Sequence, residues 1–160
     1  MKLINKETDN GKVELFIQYL SNYDLDKWGE MGYAHEGDAC FDLRAAISEP
    51  IRIFYNQIKI IPNGFKTAFD SYYVLHMYPR SGLATKGITL INAVGTIDSG
   101  YRGEVKTCLI NHNERPQTIN PGDRIAQAKL QIVPKVLLTT VQDLNSTARG
   151  ESGFGDSGLT

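Results

Sequence analysis

Apolar residues fall along this chain in short alternating runs, separated by turn residues every 8–12 positions or so, the spacing of an all-β sandwich or barrel. Val13 to Leu20 is compatible with a strand, although its spacing also fits one face of a helix. Ile51 to Ile61 alternates as a single run and stops at Pro62-Asn-Gly64, a turn signal. Tyr72 to Tyr78 is β-branched and aromatic and ends at Pro79. Gly103 to Asn111 alternates again, and Pro121-Gly122 opens a turn before Ile125 to Val133. No segment sustains a helical apolar face over three turns, and no internal repeat is visible. Ser21 to Glu36, polar and aromatic with the sole tryptophan Trp28, predicts a long connection.

Composition narrows the class. The chain has 160 residues, 41% of them hydrophobic, which suits one ordinary core and is short for two domains. Charged residues make up 22%, too few to suggest disorder throughout. Lys plus Arg total 17 against 18 Asp plus Glu, a formal net charge of −1. That balance argues against a nucleic-acid binder, yet a few local arginines suffice for a small anionic substrate. No apolar run is long enough to span a membrane, and the N-terminus is polar where a signal peptide is apolar. Cys40 and Cys108 lie far apart without CxxC spacing, so neither a zinc site nor a disulfide framework is expected. A cytoplasmic setting is expected, a host cytoplasm if the source is viral.

From Thr147 the chain changes character, with glycines at 150, 153, 155 and 158. Composition alone predicts a disordered tail. Gly153-Phe-Gly-Asp-Ser-Gly158 matches the dinucleotide fingerprint GxGxxG, but that fingerprint needs a preceding strand and a following helix, and only two residues follow. The Rossmann reading fails.

Three internal segments combine polar side chains with glycines. In Glu36 to Ala46, Asp42 stands between Phe41 and Leu43, so alternation points it away from the core, as an exposed strand acid or as a functional one. In Tyr78 to Gly87, Arg80 brings a forked donor, Ser81 a hydroxyl and Gly82 close backbone approach. These suit phosphate oxygens, although Pro-Arg-Ser-Gly can equally form an ordinary turn. In Asn92 to Val105, Asp98 precedes Ser99-Gly100, a natural hairpin tip whose arms hold Asn92 and Tyr101. Asp98 is then either a turn former or a general base beside a flat ligand, and spacing does not choose. His35, His76 and His112 have no partners at metal or triad spacing, and His76 reads as structural.

In order along the chain, these segments resemble the five motifs of the homotrimeric dUTPase family. They are Gly37-Asp-Ala-Cys-Phe-Asp-Leu-Arg-Ala, Pro79-Arg-Ser-Gly-Leu-Ala, Asn92 through Gly103, Pro121-Gly-Asp-Arg-Ile-Ala-Gln127, and Arg149 through Gly158. Any one is weak; five in family order, including Gly-Thr-Ile-Asp-Ser-Gly-Tyr-Arg-Gly, are specific. The resemblance implies an all-β, jelly-roll-like distorted β-barrel over residues 1–146. It also implies a flexible glycine-rich arm over 147–160 that closes an active site on a neighbouring subunit of a homotrimer.

The implied reaction is dUTP plus water giving dUMP and pyrophosphate, which limits uracil incorporation into DNA and supplies dUMP for thymidylate synthesis. By similarity, Asp98 orients and activates the water. Asn92, the backbone of Gly95, Thr96 and Ile97, and Lys106 read uracil, and Tyr101 packs beneath deoxyribose and excludes a 2′-hydroxyl. Arg80, Ser81, Gly82 and Gln127 match phosphate contacts, and Arg149 and Ser157 reach the γ-phosphate. Phe154 stacks over uracil, with Gly155 beside it. The resemblance implies Mg²⁺ on the phosphates, with Asp42 holding a metal-bound water. Arg124 reads as a structural or interface residue.

Cys40 and Ser152 stand where the family usually has glycine, and 21–36 and 52–71 fit it loosely. Two other readings are weighed. A dCTP deaminase shares the fold but requires a glutamate after the third motif, where this chain has Glu104-Val-Lys-Thr-Cys-Leu. A nucleotide-gated protein-binding module would use surfaces near Trp28, or near Phe54 and Tyr55, for a regulatory protein partner.

Overall fold

The computed structural model describes residues 13–153. In chain order the elements are β1 (Phe16–Tyr19), α1 (Leu25–Trp28), β2 (Phe41–Arg44), β3 (Ile51–Ile53), β4 (Ile58–Pro62), β5 (Phe65–Ala68), β6 (Tyr73–Tyr78), α2 (Ser81–Ala84), β7 (Ile88–Leu90), β8 (Gly95–Ile97), β9 (Lys106–Asn111), β10 (Gln117–Ile119) and β11 (Arg124–Ile132). The architecture is the all-β, jelly-roll-like one expected. A four-stranded sheet runs β2-β11-β6-β8 and a three-stranded sheet β4-β9-β7, with the pairs β1-β5 and β10-β3 beside them. Every pairing among the described residues is antiparallel. No described helix is long and apolar enough to cross a membrane.

Period-two alternation builds the core. On β2, Phe41 and Leu43 point inward while Asp42 and Arg44 point out. On β9, Thr107 and Leu109 are fully buried. Phe41, Leu43 and Leu109 join Ile53, Ile61, Phe65, Leu75, Ile88, Val105 and Ile125 in one cluster. Each such large side chain contributes about 1.5–3 kcal/mol by leaving water. Two buried amides tie the layers together. Asn63 donates to the Arg44 carbonyl (2.8 Å) and accepts from the Thr107 hydroxyl (2.9 Å). Asn111 donates to the carbonyls of Ile53 (2.9 Å) and Arg115 (3.0 Å). Satisfied in this way, buried polar groups specify register instead of destabilising it.

Two expectations about elements need correcting. The run Ile51 to Ile61 is two strands, not one: β3 pairs with β10 and β4 with β9. The break is a turn over Phe54–Gln57, closed by the Gln57 N–H on the Phe54 carbonyl (3.0 Å), with Asn56 left-handed at φ 55°. Asparagine tolerates that region, so neither glycine nor proline marks the turn. Phe54 and Tyr55 stay about half exposed there, Phe54 under the Arg52 guanidinium.

The Asp98 segment is not a two-stranded hairpin either. β8 pairs with β6 while β9 pairs with β4 and β7, and only a tight turn, Tyr101 N–H to the Asp98 carbonyl (3.0 Å), remains at the tip.

The connection 21–36 is partly ordered against the barrel. Asp24 caps α1 by accepting from the Lys27 N–H (3.0 Å), Tyr23 is buried, and Trp28 stands edge-on to it at 5.2 Å. After β11 the chain leaves the sheets, and Val136, Leu137, Leu138, Val141 and Leu144 are exposed.

Candidate active site

The first cleft is built on three neighbouring strands. Gln127 on β11 pairs with Asp42 on β2 and with Tyr78 on β6, so those three side chains share the outer face of the sheet. Pro79 ends β6, and the chain turns at once into α2 with Arg80 at its N-cap position. Gln127 Nε2 donates to the Pro79 carbonyl (2.8 Å) and holds that turn against the sheet. An open cleft of about 510 Å³ results, lined among others by Asp42, Arg80, Ser81, Gly82, Arg124 and Gln127. Asp42 is the electrostatic centre: its Oδ1 accepts from Arg80 Nε at 2.7 Å and its Oδ2 from Arg124 at 3.1 Å. Two guanidiniums and two carboxylates, Asp42 and Asp38, line the cleft, and α2 adds the backbone N–H groups of its first turn. The guanidinium N–H groups left free and these backbone donors suit an anion.

Arg124 reaches this cleft because β11 is irregular. The register shifts between Arg124 and Ala126, so Arg124 opposes Arg44 while Ala126 opposes Leu43. Strict alternation would send Arg124 inward with Ala126 and Ala128, both buried. The bulge instead seats Ile125 in the core and turns Arg124 to the face of Asp42 and Gln127.

The second group of predicted residues forms a groove of about 220 Å³ lined by Thr96, Ile97, Asp98, Tyr101, Glu104 and Lys106. Asp98 is exposed at its mouth. The Tyr101 ring lies over Gly103, where a Cβ would meet Cε2 at 2.9 Å, and its hydroxyl donates to the Glu104 carbonyl (3.0 Å). Gly95 is buried against Met77, whose methyl would lie 2.7 Å from a Cβ. Asn92 stands in the turn before β8, where Ala93 takes φ 55°, and its amide faces Gly95 without lining the groove.

The predicted residues therefore fall in two places that share no lining residue within one chain. Arg149 joins neither: its Nε donates to the Ser152 carbonyl (3.1 Å) in an exposed turn closed by Gly150 on Thr147. Phe154, Gly155 and Ser157 lie outside the described residues. Sequence reasoning missed the part of Arg124 in the cleft, because its direction depends on the bulge. It also left Glu104 unassigned. The carboxylate of Glu104 accepts from Asn22 Nδ2 (2.9 Å) and the Gly64 N–H (3.2 Å), a bracing role at the groove wall that does not suit a deaminase acid.

Cys40 lines the cleft where a glycine was expected. Burial pushes its thiol up, the Lys129 ammonium opposes this, and Asp38 and Asp42 add to it. Held above its ordinary value, the thiol stays protonated at neutral pH and is a poor nucleophile. His76 bonds through Nδ1 to Gln131 (2.8 Å) on the neighbouring strand, as a structural histidine would. Among the described residues no cluster of three or more His, Cys, Asp or Glu could cage a metal.

An all-β barrel with an arginine-bearing cleft and a separate groove carrying an exposed acid defines a class, the jelly-roll proteins with an anion cleft, and comparisons with known proteins narrow it. The dUTPase family model matches residues 26–158, and the chain belongs to that family. The deoxyuridine 5'-triphosphate nucleotidohydrolase of Chlamydia pneumoniae is 45% identical over 140 residues, covering 86% of this chain and 97% of that protein. That of Fusobacterium nucleatum is 43% identical over 127 residues, covering 79% and 87%. Among solved structures, a mutant of the Staphylococcus bacteriophage 80alpha dUTPase with dUpNHpp superposes with a TM-score of 0.77 at 22% identity, over 91% of this chain and 99% of that one. A mutant dUTPase of phage phi11 of S. aureus, described with a structural Mg(II) ion, superposes at 0.69 and 20% identity, over 81% and 97%.

Proposed function

We propose that this protein hydrolyses dUTP to dUMP and pyrophosphate. The observation that carries this reading is the folded Gly95–Gly103 segment. It presents an acid, a tyrosine ring and free strand backbone around one groove, in a member of the dUTPase family. Water ionises too weakly at neutral pH to attack a phosphate ester unaided, and Asp98 supplies the base. The water oxygen bonds to the α-phosphorus as its proton passes to the Asp98 carboxylate. The bond from that phosphorus to the bridging oxygen breaks, and pyrophosphate leaves with the bonding pair. The Thr96–Ile97 backbone and Lys106 hydrogen-bond the uracil edge. Cytosine, with donor and acceptor exchanged, would leave buried groups unpaired. Tyr101, fixed through its hydroxyl, packs under the sugar.

Arg80, Ser81, Gly82 and Gln127 take the phosphates in the arginine-bearing cleft, with Arg149, Phe154, Gly155 and Ser157 arriving from the arm at 147–160 of another copy. The donor set fits Mg²⁺ through water only. Of the two carboxylates in the cleft, Asp38 accepts from the His35 N–H (2.9 Å), while both Asp42 oxygens accept an arginine and each keeps a lone pair for a metal-bound water. Bound there, the ion would neutralise charge on the phosphate oxygens.

The cleft and the groove being separate in one chain supports a homotrimer that brings them together between subunits. The bare Val136–Leu144 stretch and the exposed Ile58 and Ile60 on β4 supply apolar surface for that assembly. The cytoplasm is the proposed setting, since both cysteines are free thiols and dUTP is an intracellular nucleotide. The test is pyrophosphate release with Mg²⁺ from dUTP, dCTP, dTTP and UTP. Release from dUTP alone, lost in Asp98→Asn, is expected; equal release from dCTP, or none from any, would refute the reading.

A further inference from the structure

Two polar contacts converge on the Arg80 guanidinium, and only one of them comes from a residue that the family resemblance assigns to the site. Arg80 Nε donates to Asp42 (2.7 Å), and Arg80 NH1 donates to the backbone carbonyl of Arg124 (3.0 Å). The Arg124 guanidinium in turn grips the other oxygen of Asp42 (3.1 Å). The result is a closed ring in which Arg124 fixes Arg80 twice, directly by its carbonyl and indirectly by orienting the carboxylate that Arg80 binds. Two of the five N–H groups of Arg80 are committed to the ring, leaving three for a ligand.

Exposure divides the labour. The Arg80 and Asp42 side chains are 26% and 21% exposed, whereas Arg124 is 47% exposed. Arg80 is therefore the inner cation of the cleft and Arg124 the outer brace. The same two arginines form the wall between this cleft and a neighbouring one of about 490 Å³ that also holds Lys86 and Asp123, so a loosened Arg80 has somewhere else to swing. Ordering a free arginine on a phosphate costs side-chain entropy. A ring already formed in the empty protein removes part of that cost before the ligand arrives.

We propose that Arg124 is a positioning residue for the reaction, acting on the triphosphate through Asp42 and Arg80 and not by its own contact. The bulge in β11 is the device that makes this so, since without it Arg124 would face the core. The inference rests on the hydrolase reading for its reaction, but not for its anion.

The test is a double-mutant cycle of Arg124→Ala and Arg80→Ala, read both as kcat/KM for dUTP and as calorimetric affinity for inorganic tripolyphosphate. Arg124→Ala is expected to lower each about tenfold in the otherwise unchanged protein and less than twofold once Arg80 is alanine. Both variants keep the backbone carbonyl, so the loss reads the Asp42 contact; Arg124→Lys restores an ion pair there and is expected to recover most of the loss. Equal losses in both backgrounds would overturn the proposal, because Arg124 would then touch the phosphates itself. A loss that tracks a fall in melting temperature would overturn it too, since the role would then be structural. If the unsubstituted protein leaves dUTP intact, the hydrolase reading fails alone, and the tripolyphosphate cycle still decides what Arg124 does.

Discussion

Gly122 sits in the turn before β11 at φ +81°, and an added Cβ would lie 2.8 Å from Cε2 of the Trp28 indole. Its N–H donates to the Ala45 carbonyl (2.8 Å) and its own carbonyl accepts from Arg44 (3.0 Å), so the turn has no room to give. Gly122→Ala is expected to destabilise the fold by about 1–3 kcal/mol, from left-handed strain plus displacement of the indole. Trp28, the single tryptophan, makes urea unfolding followed by its fluorescence the direct check; an unchanged midpoint would show that the turn relaxes freely. Asp98 is the opposite case, an exposed side chain on whose position little packing depends. Asp98→Asn should lower turnover by about 10²–10⁴-fold while affinity for dUpNHpp and the melting temperature hold, a pattern that separates a base from a turn former. That distinction is invisible in the spacing of Asp98, Ser99 and Gly100, which serves both roles alike.

At the scale of elements, the α1 loop shows how a polar insertion becomes part of the barrel. Tyr23 packs on Tyr19 and Trp28, and its hydroxyl donates to the Gly29 carbonyl (3.1 Å). Burial raises the Tyr23 phenol above its ordinary value, with the negative charge of a nearby ionised Tyr19 adding to this and Arg44 opposing it. A raised folded-state pKa means that the folded form holds the proton more tightly than the unfolded chain. The stabilisation is therefore complete below about pH 10, the free phenol value, and is lost as pH rises through the higher folded one. Tyr23→Phe should make the fall of melting temperature with pH shallower above pH 10, measured by calorimetry across the alkaline range; parallel curves would put the proton elsewhere. Strand identity in this chain was legible wherever alternation ended at a proline or glycine, as at Pro79 and Pro121-Gly122. It was lost at Asn56, where a non-glycine residue takes the turn, and at Arg124, where one extra residue reverses the facing of a side chain.

For the whole molecule, the exposed Val136–Leu144 stretch and the two separate half-sites bear on the same question. Leu137→Asp together with Leu138→Asp should shift the proposed trimer toward monomer in analytical ultracentrifugation and abolish turnover with it. A trimer that survives both charges would mean that this segment is not an interface. Ending the chain after Ser146 should spare assembly and remove most activity, and full activity would refute the closing arm.

The sequence by itself determined that the protein is all-β, that its polar motifs stand in the order of one enzyme family, and which side chains are available for chemistry. These follow from local alternation, turn residues and motif order, which are written along the chain. Only the tertiary structure decided that Arg124 belongs to the cleft of Asp42 and Arg80, that Ile51 to Ile61 serves two sheets, and that Asp98 and Arg80 line separate pockets of one chain. Those outcomes depend on which strands pair and in what register, and pairing is set by contacts between residues tens of positions apart that no local pattern records.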